Sequence, residues 1–184
     1  MDVFNTTRIS NYYYSGNGYP VAAVVCRREI AESFAASGIE YFNTYGGNSV
    51  ACSVAEAVLD TIEEEKLQAN ALEVGNYLTE QFQALAKKYE ASGVYWIGDV
   101  RGVGLFQGIE FVYNNKDVNL EPHADLTKFL VDYLRYQRVI VSRDGPDANV
   151  IKIKPPLVFS KQNVDMLVTA LDHALQCAVN LKIF

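Results

Sequence analysis

The chain has 184 residues, 49% of them hydrophobic and 21% charged, and a net charge of −6. That is ordinary globular composition, sized for one domain or for one small domain with part of another. The negative balance, with no basic run, argues against nucleic acid and anionic membrane as partners, and no apolar run reaches the ~18 residues of a membrane span.

Residues 1–15 are polar and tyrosine-rich, without a clear period. "YPVAAVVCR" (Tyr19 to Arg27) predicts a near-continuous apolar strand, the pattern of burial on both faces inside a parallel sheet. "REIAESFAAS" predicts a short helix ended by Gly38. A polar loop, "YFNTYGGN", then leads into a helix from about Val50 to Glu64, with Val50, Val54, Val58 and Ile62 on its apolar side. Glu63, Glu64 and Glu65 read as a solvated face. A second helix spans about Lys66 to Tyr89 and buries Leu72, Leu78, Phe82 and Leu85.

After Gly93 the pattern becomes short alternating units, as in a small α+β domain. "VRGVGLFQGIEFV" predicts a strand interrupted by glycines, which permit close approach of neighbouring backbone. "ADLTKFLVDYLRYQRVIV" predicts a helix leading into a strand, and "RDGPDAN" a turn. "VIKIKPPLVF" predicts a strand that ends at the proline pair, and "SKQNVDMLVTALDHALQCAV" a closing helix capped by Ser160. There is no internal repeat. The domain reading is therefore 1–48, 49–92 with the linking helices, and 93–184.

Cys26, Cys52 and Cys177 sit in apolar contexts without metal-like spacing, so they read as buried thiols in a reducing compartment. His123 and His173 are too few and too isolated for a metal site or a nucleophilic triad. The first residues lack both the apolar core of a secretory signal and the Arg-rich look of a transit peptide. An intracellular location is expected, mitochondrial or cytoplasmic.

Two places carry candidate chemistry. Asn43, Thr44, Gly46, Gly47 and Asn48 offer a hydroxyl, two amides and backbone N–H groups at the positive end of a helix, which suits an anion. The same residues also serve a plain cap by Asn48 or Ser49. In "VIKIK", Lys152 and Lys154 share one strand face and Ile151 and Ile153 the other. That face is either solvated or an anion contact. Arg101 in "VRGVGL" reads as structural.

"SGNGYPVAAVV", "EIAESFA", "YFNTYGGNSVACSVAEAVLDTIEEEKLQANA", "GDVRGVGLFQGIEFV" and "NVIKIKPPLVF" stand in an order that resembles the C-terminal part of class III aminotransferases, pyridoxal-phosphate enzymes of fold type I. The likeness runs from Gly16 to about Leu175. It is nearest to the alanine-glyoxylate aminotransferase 2-like subgroup, which includes ethanolamine-phosphate and phosphohydroxylysine phospho-lyases. The fold class it implies is α/β: a remnant of the large cofactor-binding domain (1–48), a long linking helix, and a small α+β domain.

The resemblance also implies roles. Thr44 would give its hydroxyl to the phosphate of pyridoxal phosphate across a dimer interface. Tyr13 in "YYYSGNG" stands where the family has its Schiff-base lysine, and a phenol cannot form an imine with the cofactor aldehyde. No lysine precedes Lys66. The family's pyridine-nitrogen aspartate, stacking aromatic and main glycine loop lie upstream of the matched region. Tyr12, Tyr13 and Tyr14 otherwise read as surface or interface packing. Lys152 occupies a position where many members carry a carboxylate-gripping arginine; lysine there suits the phospho-lyase subgroup and a phosphorylated amine substrate. The expectation is a truncated or decayed member, not catalytic alone, acting as a homodimer or as a mixed dimer with a full-length relative. A non-catalytic dimerisation module is the alternative. A mis-cut reading of the gene, an alternative product and a decayed copy all fit.

Overall fold

The computed structural model describes residues 10–12, 16–94, 96–113 and 121–182. It divides the chain into two compact units, Met1–Lys66 and Leu67–Phe184.

In the first unit, β1 (Ser10–Tyr12) pairs antiparallel with β2 (Ala23–Val25). The expected long buried strand is thus only three residues, and all three are exposed. The apolar run says what the segment could bury, not that a sheet is there to cover it. Between the strands, Tyr19 N–H donates to Gly16 O at 3.0 Å and closes a two-residue reversal. Helix α1 (Arg28–Ala36) follows, and Gly38 beyond it takes φ +71°. Helix α2 (Ser49–Glu64) is largely solvent-facing; Ala51 is its one buried residue, whereas Val54, Val58 and Ile62 are half-buried and Val50 is exposed. Glu63, Glu64 and Glu65 are exposed as expected.

The second unit opens with α3 (Leu67–Ala91), whose buried stripe is Val74, Gly75, Leu78, Phe82, Leu85 and Tyr89. Leu72, expected on that stripe, is 57% exposed. β3 (Ile97–Val103) and β4 (Phe106–Phe111) form a hairpin where one glycine-interrupted strand was expected. Gly104, at φ +56°, opens the two-residue loop; such loops require this backbone region at their first position.

Helix α4 (Ala124–Tyr136) starts where the periodicity puts it. Its cap is His123, whose Nδ1 accepts from Leu126 N–H at 3.3 Å while its ring stacks on Tyr113 at 3.9 Å. The strand after it, β5 (Ser142–Asp144), begins beyond the expected Val139–Val141. β6 (Val150–Ile153) ends before Pro155, and α5 (Lys161–Asn180) carries a full capping box between Ser160 and Asn163.

The sheet order is β3-β4-β6-β5, all antiparallel. Its inner face presents Ile109, Phe111, Ile151 and Ile153 to the core shared with α3, α4 and α5. α5 packs on α3 and α4 through Val164, Leu167, Leu171, Ala174, Leu175 and Ala178, a three- and four-residue spacing.

The expectation of buried thiols fails. Cys52 is exposed, Cys26 and Cys177 are half-buried, and all three are free. Cys177 Sγ lies 3.4 Å from the Tyr133 hydroxyl.

Asp172 ties α5 to α3. Lys88 Nζ donates to both of its carboxylate oxygens, and the Tyr89 hydroxyl donates to Oδ1 and to the Asp172 carbonyl at 2.9 Å. Partial burial disfavours the Asp172 charge, but the bonds from Lys88 and Tyr89, with His173 nearby, outweigh it and hold the carboxyl below its usual range. A depressed carboxyl contributes stability above its unfolded-state pKa and loses it as pH falls through the folded one. Urea midpoints should therefore begin to drop as acidification reaches pH 3.8 and keep dropping below it, through the lowered folded-state value, and the drop should be smaller in Asp172→Asn. Equal slopes in the two proteins would contradict the arrangement.

Candidate functional site

The polar turn before α2 is built by its own side chains. Asn43 Oδ1 accepts from Tyr45 N–H at 3.2 Å, and Gly46 N–H donates to Asn43 O at 3.1 Å. Gly47 follows at φ +69°, a conformation costly for residues with a Cβ. Asn48 then caps the helix: its Oδ1 accepts from Ala51 N–H at 2.9 Å and its Nδ2 donates to Tyr45 O at 2.8 Å.

The capping and anion readings therefore divide the residues between them. Asn48 is consumed in capping. Among the described residues, no hydrogen bond engages the Thr44 hydroxyl or the N–H groups of Gly47, Ser49 and Val50. These donors sit at the positive end of a 16-residue helix, the arrangement that favours a phosphate dianion. Thr44 itself is exposed. Tyr41, Phe42 and Tyr45 beside it are 74%, 82% and 81% exposed. Sequence reasoning passed over these aromatics; three of them in one glycine-bearing turn was the available signal.

Lys152 lies in the second unit, on the outer face of β6. Its backbone pairs with Gly108 of β4 and Ser142 of β5. Ile151 and Ile153 are buried and Lys154 is exposed, as the alternation predicts. Lys152 Nζ binds Asp144 Oδ2 at 2.5 Å. The bonds from Lys152 and from Gly145 N–H hold the Asp144 carboxyl below its usual range. Asp144 escaped sequence reasoning because the partnership follows from hairpin register across "RDGPDAN", which the turn residues alone do not fix. Lys154 Nζ lies 5.9 Å from the Phe106 ring centroid.

Arg101 is held between Asp99 and Glu110, with Nη1 at 2.8 Å and 2.5 Å from their carboxylates. The two hydrogen bonds raise its pKa further. Tyr13 lies outside the described residues. Among the described residues no group of three or more His, Cys, Asp or Glu could hold a metal ion, and no helix is long and apolar enough to cross a membrane.

The family described as "Aminotransferase class-III" matches residues 14–175. An "alanine–glyoxylate aminotransferase 2-like" protein of Drosophila melanogaster is 49% identical over 151 residues, 82% of this chain and 29% of its own length. Among solved structures, a phospholyase from Arthrobacter in complex with phosphoethanolamine superposes with a TM-score of 0.82 at 35% identity. It matches 94% of this chain and 40% of its own. An amine transaminase from an uncultivated Pseudomonas species, in its PLP-bound form, gives a TM-score of 0.71 at 32% identity, with 87% and 36% matched. The chain thus spans well under half the length of these relatives.

Proposed function

The chain belongs to the class III aminotransferases, and on that premise we propose that it carries the phosphate-contact turn of a pyridoxal-phosphate site without the amine that captures the aldehyde. The observation that carries this reading is the turn at 43–48. It leaves the Thr44 hydroxyl and the N–H groups of Gly47, Ser49 and Val50 available once Asn48 has capped α2.

The donor set fits the phosphate end of the cofactor. Thr44 Oγ would donate to a phosphate oxygen and the helix end would supply partial positive charge. When bound, pyridoxal phosphate supplies the electron sink for breaking bonds at the substrate's amine-bearing carbon. The residues present do not fit the aldehyde end. The family's lysine position is Tyr13, and the first lysine of the chain is Lys66. A phenol is neither an imine-forming group nor an amine base, so no covalent step is assigned to this chain. By itself it is non-catalytic, and Thr44 acts across a subunit contact, in a homodimer or beside a full-length relative. The substrate class of that larger site is a phosphorylated amine, cleaved by elimination to phosphate and ammonia. Lys152, already paired with Asp144, serves it as a scaffold cation more readily than as a direct grip.

A pure interaction module is favoured by a separate observation: Val24, Phe34, Ile39, Tyr41, Phe42, Tyr45 and Leu59 of the first unit are all more than half exposed.

The test is borohydride trapping. The purified chain is incubated with pyridoxal phosphate, reduced, and weighed intact. No stoichiometric phosphopyridoxyl adduct is expected. The experiment is repeated after mixing with a full-length relative: native mass spectrometry should show mixed dimers, and Thr44→Val in this chain should weaken cofactor retention in them. One adduct per molecule with turnover in the chain alone would overturn the proposal. Mixed dimers whose cofactor retention ignores Thr44→Val would leave the interaction module standing instead.

A further inference from the structure

Asn17 and Gly18 form the centre of the reversal between Gly16 and Tyr19, with φ of +46° and +106°. "NG" occurs once in the chain. Both residues are exposed, and a Cβ on Gly18 would meet nothing within 4 Å. Among the described residues no hydrogen bond holds the Asn17 amide, and the bond that closes the reversal uses Tyr19 N–H, leaving Gly18 N–H outside it.

Other asparagines differ. Asn43 and Asn48 are locked into the turn before α2, and Asn163 into the capping box of α5. Asn70 donates to the carbonyls of Leu157 and Phe159, and Asn149 is buried on Glu110 and Phe111. Each of these is followed by a residue with a side chain, which crowds the next backbone nitrogen.

From the exposed, untethered amide, the unhindered glycine nitrogen next to it and the open turn they share, we propose that Asn17 is a self-modification site that deamidates through Gly18. The Gly18 nitrogen loses its proton and attacks Asn17 Cγ. The new C–N bond closes a five-membered imide, and the Cγ–Nδ2 bond breaks. The amide nitrogen leaves as ammonia, having taken up the proton. Water then adds to either imide carbonyl and opens the ring. One opening gives aspartate, the other gives isoaspartate with the main chain routed through the side-chain carbon. Nothing is oxidised or reduced; the sum is amide plus water to acid plus ammonia.

Either product adds a negative charge to a chain already at −6. The isoaspartate product also adds one main-chain carbon to a two-residue loop, whose closure depends on its length. The Tyr19 to Gly16 bond is then lost, and the conformational cost of a non-glycine residue at positive φ is released. The change falls in the "SGNG" segment, directly after the tyrosine run.

The full chain is incubated in mildly alkaline buffer made with heavy-oxygen water, digested, and mapped by chromatography and mass spectrometry. The Asn17 peptide should lose its amide before any other asparagine peptide. It should appear as two chromatographically distinct products of equal mass, each with one heavy oxygen, and form faster as pH rises. Asn17→Gln, at an exposed position that keeps the fold, should abolish the conversion; Gly18→Ala should slow it to the rate of the other asparagines. An intact Asn17 peptide while others convert, or a single aspartate product from direct hydrolysis, would overturn the proposal.

Discussion

Phe82→Ala is expected to destabilise the second unit by about 3–5 kcal/mol and to lower its melting temperature by roughly 10–25 °C. Phe82 is fully buried on α3, in one cluster with Leu78, Ile109, Phe111, Leu130 and Leu171. Truncation removes a ring from a place where helix, sheet and neighbouring helices meet, and close-packed surroundings refill such a space only in part. The chain has one tryptophan, Trp96, buried in the same core. Its fluorescence follows this unit's unfolding without contribution from Met1–Lys66. Leu72→Ala is the control: the same helix, an equally apolar residue, but 57% exposed. It should cost no more than about 0.5 kcal/mol. Equal losses from the two substitutions would refute the described face of α3.

Leu72 also shows what a sequence can and cannot fix. Leu78, Phe82 and Leu85 lie on the buried face because their spacing matches the helix period. Continuing backward by the same period gives Val74, Gly75 and then Ala71, which are buried or half-buried. A reading guided by size prefers Leu72 to a glycine, since glycine offers nothing to bury. Only the approach of another backbone makes Gly75 the right residue there. Period-two alternation was likewise sufficient for Ile151, Lys152, Ile153 and Lys154, because one face of the sheet is covered. The near-continuous apolar run Tyr19–Arg27 misled instead: it predicts burial on both faces, yet among the described residues its three-residue strand is exposed. The polar turn was legible as a donor cluster from its Asn, Thr and Gly residues. Which donors stay available was not, because that depends on how Asn48 spends its two amide atoms. The Lys152–Asp144 pair and the His123 cap were hidden for a related reason. Each needs a hydrogen-bond partner chosen by local geometry, which composition does not specify.

Gly75→Ala should destabilise the second unit although alanine is the better helix former. Propensity alone would favour the variant by about 1 kcal/mol. Against that, a Cβ on Gly75 would stand 2.2 Å from Gly104 O and 2.3 Å from its carbonyl carbon. These are backbone atoms of the β3–β4 loop, so no side-chain rotation relieves the clash. The helix or the hairpin has to move, at about 1–3 kcal/mol for overpacking. The movement also disturbs Gln107, whose Nε2 donates to Gly75 O at 2.6 Å and to Gly104 O at 2.9 Å from a fully enclosed position. Among the described residues its Oε1 already lacks a partner, so loss of either Nε2 bond adds about 1–3 kcal/mol for a second unsatisfied buried group. The opposing effects leave a net loss of about 1–5 kcal/mol, read as a lower urea midpoint by Trp96 fluorescence. Gln107→Leu in the same background separates the contributions: with the amide absent, Gly75→Ala should cost less than in the parent, because only the overpacking remains. A neutral or stabilising Gly75→Ala would mean that propensity prevails and that α3 does not approach the hairpin loop this closely.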